Sequence, residues 1–147
     1  MSFSIDVNVM LYASDRSSPF HSQAGNFLSS CASGSEVFYI AWITIIGYLR
    51  IATHPAIFAD PLSPVDAMLN VDSLLSLPHV RVLAEDEDFW AIYHKVVDGL
   101  SVRGNLVNDA HLAALLWQHG VKTIYTNDAD FRKFRFLDVQ NPFGPQV

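Results

Sequence analysis

Short apolar runs alternate along this chain with longer stretches in which apolar residues recur at helical spacing. Residues 3–7 read as a short buried strand, and Asn8 through Ala13 as a helix or turn directly behind it. Ser18-Pro19 predicts a helix start, with Ser18 as N-cap and Pro19 at the first helical position, where a missing amide leaves no bond unmade. Phe20, Ala24, Phe27 and Leu28 would form its apolar stripe, and Gly34 would end it. A second strand is expected at 37–41, after which Trp42, Ile45, Ile46, Leu49 and Ala52 change to helical spacing until His54-Pro55 stops the run. Ser63-Pro64-Val65-Asp66 predicts a capped helix to about residue 77, and Pro78 separates it from a strand at 80–83. A helix at roughly 86–100 follows, with Phe89, Ile92, Tyr93, Val96 and Val97 facing inward. A Gly-containing link at 101–105 then leads to a helix that starts near Asn108 or Asp109 and ends before Gly120, with strands at 122–126 and 136–139 closing the pattern.

Short apolar strands separated by helices belong to parallel sheets covered on both faces. The expectation is a single domain over 1–147 of three-layer α/β/α type with a mainly parallel central sheet. Neither G-x-G-x-x-G nor G-x-x-x-x-G-K-[ST] occurs, which weighs against dinucleotide and P-loop sites. Half of the 147 residues are hydrophobic, enough for an ordered core. The net charge of -6 offers no global attraction to nucleic acid, so such binding would need a local basic patch or cations that cancel the acids. Cys31, without His or Cys partners at zinc spacing, reads as a small buried side chain. No basic segment precedes an apolar signal, and no run approaches the roughly 20 apolar residues of a membrane span. A cytoplasmic setting without membrane contact is the expectation.

Aspartates stand at the ends of several apolar runs. Asp6 closes the first strand, Asp109 opens an apolar helical run, and Asp128 and Asp130 follow Thr123-Ile124-Tyr125-Thr126. If the first and last of these runs are neighbouring parallel strands, three distant segments bring carboxylates to one end of a sheet, where a hard divalent cation would neutralise them. Asp6 and Asp109 would each also serve as an ordinary helix cap, and Asp130 as a cap or a water-mediated ligand. Asp6, Asp109 and Asp128 are the expected metal ligands, and with Asp130 the expected catalytic set. An all-oxygen site suits Mg²⁺, or Mn²⁺, better than zinc. The chemistry that follows is phosphodiester hydrolysis. Asn8, Arg50, Arg103, Thr126 and Arg132 are offered as substrate contacts, with Lys133 and Arg135 extending a basic run behind the last acids. His111, two residues beyond Asp109, falls on another helix face and reads as structural or surface.

The segments Ser4-Ile5-Asp6-Val7-Asn8-Val9-Met10-Leu11-Tyr12-Ala13, Leu49-Arg50-Ile51-Ala52-Thr53-His54-Pro55, Gly104-Asn105-Leu106-Val107-Asn108-Asp109-Ala110-His111-Leu112-Ala113 and Thr126-Asn127-Asp128-Ala129-Asp130-Phe131 strongly resemble the PIN-domain ribonucleases of VapC-type toxins. Asp6, Asp109 and Asp128 match the first, third and fourth acids of that family. The second acid is the departure: a common E-x-x-R pattern stands here as Gly47-Tyr48-Leu49-Arg50. The resemblance implies a Mg²⁺-dependent endoribonuclease, an RNA substrate, a VapB-like antitoxin that folds over the cleft, a homodimer packed through helices, and a toxin-antitoxin hetero-oligomer. The loss at Gly47 keeps a second reading open, a catalytically weak RNA-binding or regulatory PIN-domain module. A related DNA nuclease and a phosphomonoesterase are weaker alternatives, the latter because Asp6-Val7-Asn8 lacks the second acid of a D-x-D motif.

Overall fold

A computed structural model of the chain describes residues 2–144. In chain order its elements are β1 (Ser2–Ile5), α1 (Val7–Ser14), α2 (His21–Ser33), β2 (Val37–Ala41), α3 (Trp42–Ala52), α4 (Pro64–Leu75), β3 (Val80–Leu83), α5 (Phe89–Val97), α6 (Leu106–Gln118), β4 (Thr123–Tyr125), a short 3₁₀ helix (Ala129–Lys133) and β5 (Asp138–Gln140). The strands form one sheet in the order β3-β2-β1-β4-β5, and every pairing is parallel. The expected three-layer α/β/α class is the observed one, with a fully parallel sheet.

Two apolar cores flank the sheet. On one side Phe3, Ile5, Phe38 and Ile40 pack with Val9, Met10 and Leu11 of α1, Ala24 of α2, Ile45 and Tyr48 of α3, and Val71 of α4. On the other, Ala41, Leu83 and Ile124 pack with Leu112, Leu115 and Leu116 of α6 and with Phe131 and Phe134. Each fully buried aliphatic side chain contributes about 1.5–3 kcal/mol, so these two layers hold the strand ends in a fixed relation.

Several boundaries differ from the sequence expectation for local reasons. The predicted helix start at Ser18-Pro19 is a turn: the Ser18 hydroxyl accepts from the Phe20 amide at 3.1 Å, and α2 begins at His21. Asp88 adopts a left-handed conformation at φ 68°, which holds the start of α5 back to Phe89 rather than about residue 86. The helix expected near Asn108 or Asp109 begins earlier, at Leu106, so Asp109 lies inside its first turn and Asn108 is not its cap. Ser63 does cap α4, accepting from the Asp66 amide at 3.1 Å, which contributes about 1 kcal/mol. At the far end of α6, Gly120 takes φ 71° while the Val121 amide reaches back to the Leu116 carbonyl at 2.9 Å, closing the helix by a left-handed C-terminal cap. β4 and β5 are shorter than expected, and Val7 joins α1 rather than β1. Cys31 is half-buried rather than buried, and burial foremost, then Glu36, pushes its thiol up to about 12.

The chain runs β1 to β2 to β3 across one half of the sheet and then returns through α6 to β4 and β5 on the other half. The reversal lies between β1 and β4, and a crevice opens at the carboxyl ends of strands at such a point. Asp6 directly follows β1, and Asp128 lies three residues beyond β4.

Candidate metal centre

Register decides which acids meet. Ile5 is paired with Tyr125, and the Asp6 amide donates to the Tyr125 carbonyl at 3.1 Å, so the ends of β1 and β4 are closed against each other. Asp6 occupies the position before α1, yet its side chain makes no capping hydrogen bond. Its Oδ2 instead accepts from the Thr126 hydroxyl at 2.9 Å. Thr126 is buried and its Oγ1 also accepts from the Asp128 amide at 3.0 Å, so one hydroxyl ties the first acid to the segment carrying the last two.

Asp109, Asp128 and Asp130 each present one carboxylate oxygen within 4.8 Å of the others. The 3₁₀ helix after β4 makes this geometry: Asp128 caps it by accepting from the Asp130 amide at 2.9 Å, which brings two acids to one side of a single turn. Asp109 reaches the same place from the first turn of α6. Asp6 lies outside that tight group but is buried at 6 % exposure and close enough that its charge opposes that of Asp109.

The electrostatics record the crowding. Burial foremost pushes Asp109 up to about 7, and the charges of Asp6, Asp128 and Asp130 add to the effect while Lys133 opposes it. Asp6 is also raised, first by burial, with Asp128 adding to it; the Thr126 hydroxyl and the first amides of α1 pull the other way. Lys133 sits 3.2 Å from Asp130. One lysine beside four acids leaves a net negative pocket, which a divalent cation would relieve. The donors are all carboxylate oxygens, and their separation matches what opposite or adjacent ligands of a cation require at Mg–O or Ca–O distances of about 2.0–2.6 Å. The residues present therefore fit a hard divalent ion.

The remaining sequence candidates are spread more widely. Asn8 is half-buried in the first turn of α1, and Arg132 is exposed within the 3₁₀ helix beside the acids. Arg103 lies in the link before α6, where its Nη2 donates to the Ser101 hydroxyl at 2.8 Å. Arg50 is in the last turn of α3, roughly 12 Å along that helix from its first residue, Trp42, at a rise of about 1.5 Å per residue. His111 pairs with Glu85 and packs on the Phe89 ring, as a structural histidine would. Gly47 lies in mid-α3, and a Cβ built there would touch only the Val7 side chain, at 3.8 Å. The tight grouping of Asp130 with Asp109 was not legible from spacing, because it depends on the 3₁₀ turn.

A PIN domain model matches residues 4–137. Ribonuclease VapC48 of Mycobacterium tuberculosis is 43% identical over 144 residues, covering 98% of this chain and 99% of that protein. Ribonuclease VapC37 of the same organism is 32% identical, over 94% and 95% of the two chains. Among solved structures, VapBC2 from Rickettsia felis, bound to a DNA fragment from its promoter, superposes with a TM-score of 0.69 at 17% identity, covering 96% of this chain and 98% of its counterpart. VapC20 of M. tuberculosis, described as a sarcin-ricin loop cleaving toxin, gives 0.67 at 16% identity over 94% and 98%. The crystallographic likenesses agree with the fold, and the full-length sequence kinship carries the relationship: the chain belongs to the PIN-domain family, in its VapC ribonuclease branch.

Proposed function

We propose that this chain is a metal-dependent endoribonuclease, the toxin of a type II toxin-antitoxin pair, and that it hydrolyses RNA phosphodiester bonds at the acidic crevice between β1 and β4. The observation that carries the reading is the convergence of Asp109, Asp128 and Asp130 within 4.8 Å, with the buried Asp6 close enough for its charge to act on Asp109. Supporting it, the curated relatives at 43% and 32% identity are named ribonucleases. A bound Mg²⁺ or Mn²⁺ would polarise a phosphoryl oxygen and lower the pKa of an attacking water.

The protein's own part is preorganisation. Asp109, Asp128 and Asp130 would hold the cation, and Asp6, also expected as a ligand and fixed by Thr126, adds buried negative charge close to Asp109. Thr126 orients Asp6 and the Asp128 backbone together, so the crevice keeps its shape when a substrate phosphate approaches. Lys133, already beside Asp130, and exposed Arg132 supply positive charge at the rim. Asn8 is a further polar contact on the β1 side.

VapBC assemblies among the structural neighbours support a VapB-like antitoxin as partner. Trp42 and Ile46 on α3 and Val65, Met68 and Leu69 on α4 are exposed apolar side chains that suit coverage by a second copy or by that antitoxin. Among the described residues no helix is long and apolar enough to cross a membrane.

Incubation of the purified protein with defined RNAs and matched DNAs, in Mg²⁺, Mn²⁺ or EDTA, tests the reading. Cleavage of RNA that needs the metal and is lost in D6N and D109N is expected. Folded protein that binds RNA but never cleaves it would favour the regulatory module that Gly47 keeps open, and equal cleavage by the variants would remove the acids from the mechanism.

A further inference from the structure

Away from the acids, a groove of about 420 Å³ opens between the C-terminal halves of α5 and α6 and the segment that follows the 3₁₀ helix. Lys95, Lys133 and Arg135 line it, three of the chain's nine basic side chains. In a protein of net charge -6 that is a local inversion of sign. Among the described residues Asp98 is the one acid on its wall. Arg135 and Lys95 make no ion pair among the described residues, so their charge is not spent within the protein. Lys95 is held in place by the Trp117 ring, with its Nζ 4.5 Å from the ring centre, and Trp117 in turn stands edge-to-face with Phe136 at 4.9 Å.

Two observations connect this groove to the acidic crevice. Lys133 belongs to both, lying 3.2 Å from Asp130 while lining the groove. Helix α6 also spans both, carrying Asp109 in its first turn and Trp117 near its last. The separation along that helix is roughly 12 Å at about 1.5 Å per residue, short enough for one strand to touch both ends. An extended, phosphate-lined chain fits a line of cations backed by aromatic rings better than a globular surface does.

We propose that the Lys95–Lys133–Arg135 groove is the path by which single-stranded RNA leaves the acidic crevice, binding the phosphates that flank the cleaved bond. The proposal rests on the nuclease reading for its direction and purpose, but its own content is RNA affinity. Lys133 has two partners available, Asp130 in the free protein and a phosphate when the strand is seated. Lys95 and Arg135 are positioning residues that hold the strand without touching the reacting bond.

Fluorescence anisotropy with a labelled 12-nucleotide single-stranded RNA, in EDTA so that nothing is cleaved, separates the two readings. K95E and R135E are each expected to weaken binding by about five- to tenfold and to lower the salt slope by about 0.7 per lost phosphate contact. R16E, a reversal of equal charge in the exposed loop after α1, is expected to change affinity less than twofold, and K95R to bind as the parent does. In Mg²⁺ the groove variants should raise KM with kcat kept. Circular dichroism melts verify that each variant is folded. Unchanged affinity in both K95E and R135E, or an equal loss in R16E, would overturn the groove even if cleavage is intact. Loss of affinity in both without any cleavage by the parent protein would leave the groove standing and remove the nuclease reading.

Discussion

Asp109→Asn should stabilise the metal-free protein at alkaline pH while abolishing its activity. Asp109 has its pKa raised from 3.8 to about 7, by burial first and then by Asp6, Asp128 and Asp130. Between these two values the folded protein binds more protons than the unfolded chain, so stability falls as pH rises through that window. At full strength the difference corresponds to about 4 kcal/mol. The side chain is only half-buried, and solvent screening reduces the expected effect to about 1–2 kcal/mol. An asparagine keeps the shape and discards the charge. In EDTA at pH 8, D109N should therefore melt roughly 2–8 °C above the parent protein, and the gap should close toward pH 4. Adding Mg²⁺ should raise the parent's melting temperature at pH 8 far more than that of D109N, because the ion removes the repulsion that the variant lacks. Thermal melts across pH 4–8, with and without Mg²⁺, measure this. A variant no more stable than the parent at pH 8, or a gap that does not depend on pH, would refute the electrostatic account of the cluster.

Three further expectations concern neighbouring positions. T126V removes the hydroxyl that holds both Asp6 and the Asp128 amide, costing about 1–3 kcal/mol in urea unfolding and moving the acid limb of the cleavage profile to higher pH as Asp6 loses its donor; an unmoved limb would count against Asp6 as an ionised participant. Ser4 is fully buried on β1 with no partner for its hydroxyl among the described residues, so S4A should be neutral or stabilising by up to about 1 kcal/mol, and a marked loss would point to a hidden partner. G47E places a carboxylate where a Cβ meets only Val7 at 3.8 Å, in mid-helix where glycine is unfavourable by about 1 kcal/mol. In saturating Mg²⁺ it should fold at least as well as the parent, and it should reach half-maximal cleavage at lower Mg²⁺; an unchanged metal requirement would mean that position 47 does not face the cation.

Much of the fold was legible because its strands are apolar runs with sharp edges: 37–41 and 80–83 match the observed β2 and β3 residue for residue. Ser63-Pro64 was equally readable, since cap, proline and Asp66 act within one turn. Ser18-Pro19 carries the same signal but closes a turn, because its hydroxyl is used two residues on rather than three. The left-handed Asp88 and the early start of α6 depend on packing that no local pattern encodes. The acids were individually visible, whereas their grouping was not. Which oxygens meet depends on β1 pairing with β4 across more than a hundred residues and on the 3₁₀ turn that folds Asp130 toward Asp109. The Lys95–Trp117 pair is likewise a product of α5 lying against α6.

The proposed chemistry depends on these carboxylates forming one divalent-metal site. Anomalous diffraction from crystals soaked in Mn²⁺ locates the ion. A manganese peak bounded by oxygens of Asp109, Asp128 and Asp130 is expected, absent from D109N crystals soaked in the same way. A peak held by other residues in protein that cleaves RNA, or an equally strong peak at this site in D109N, would contradict that dependence.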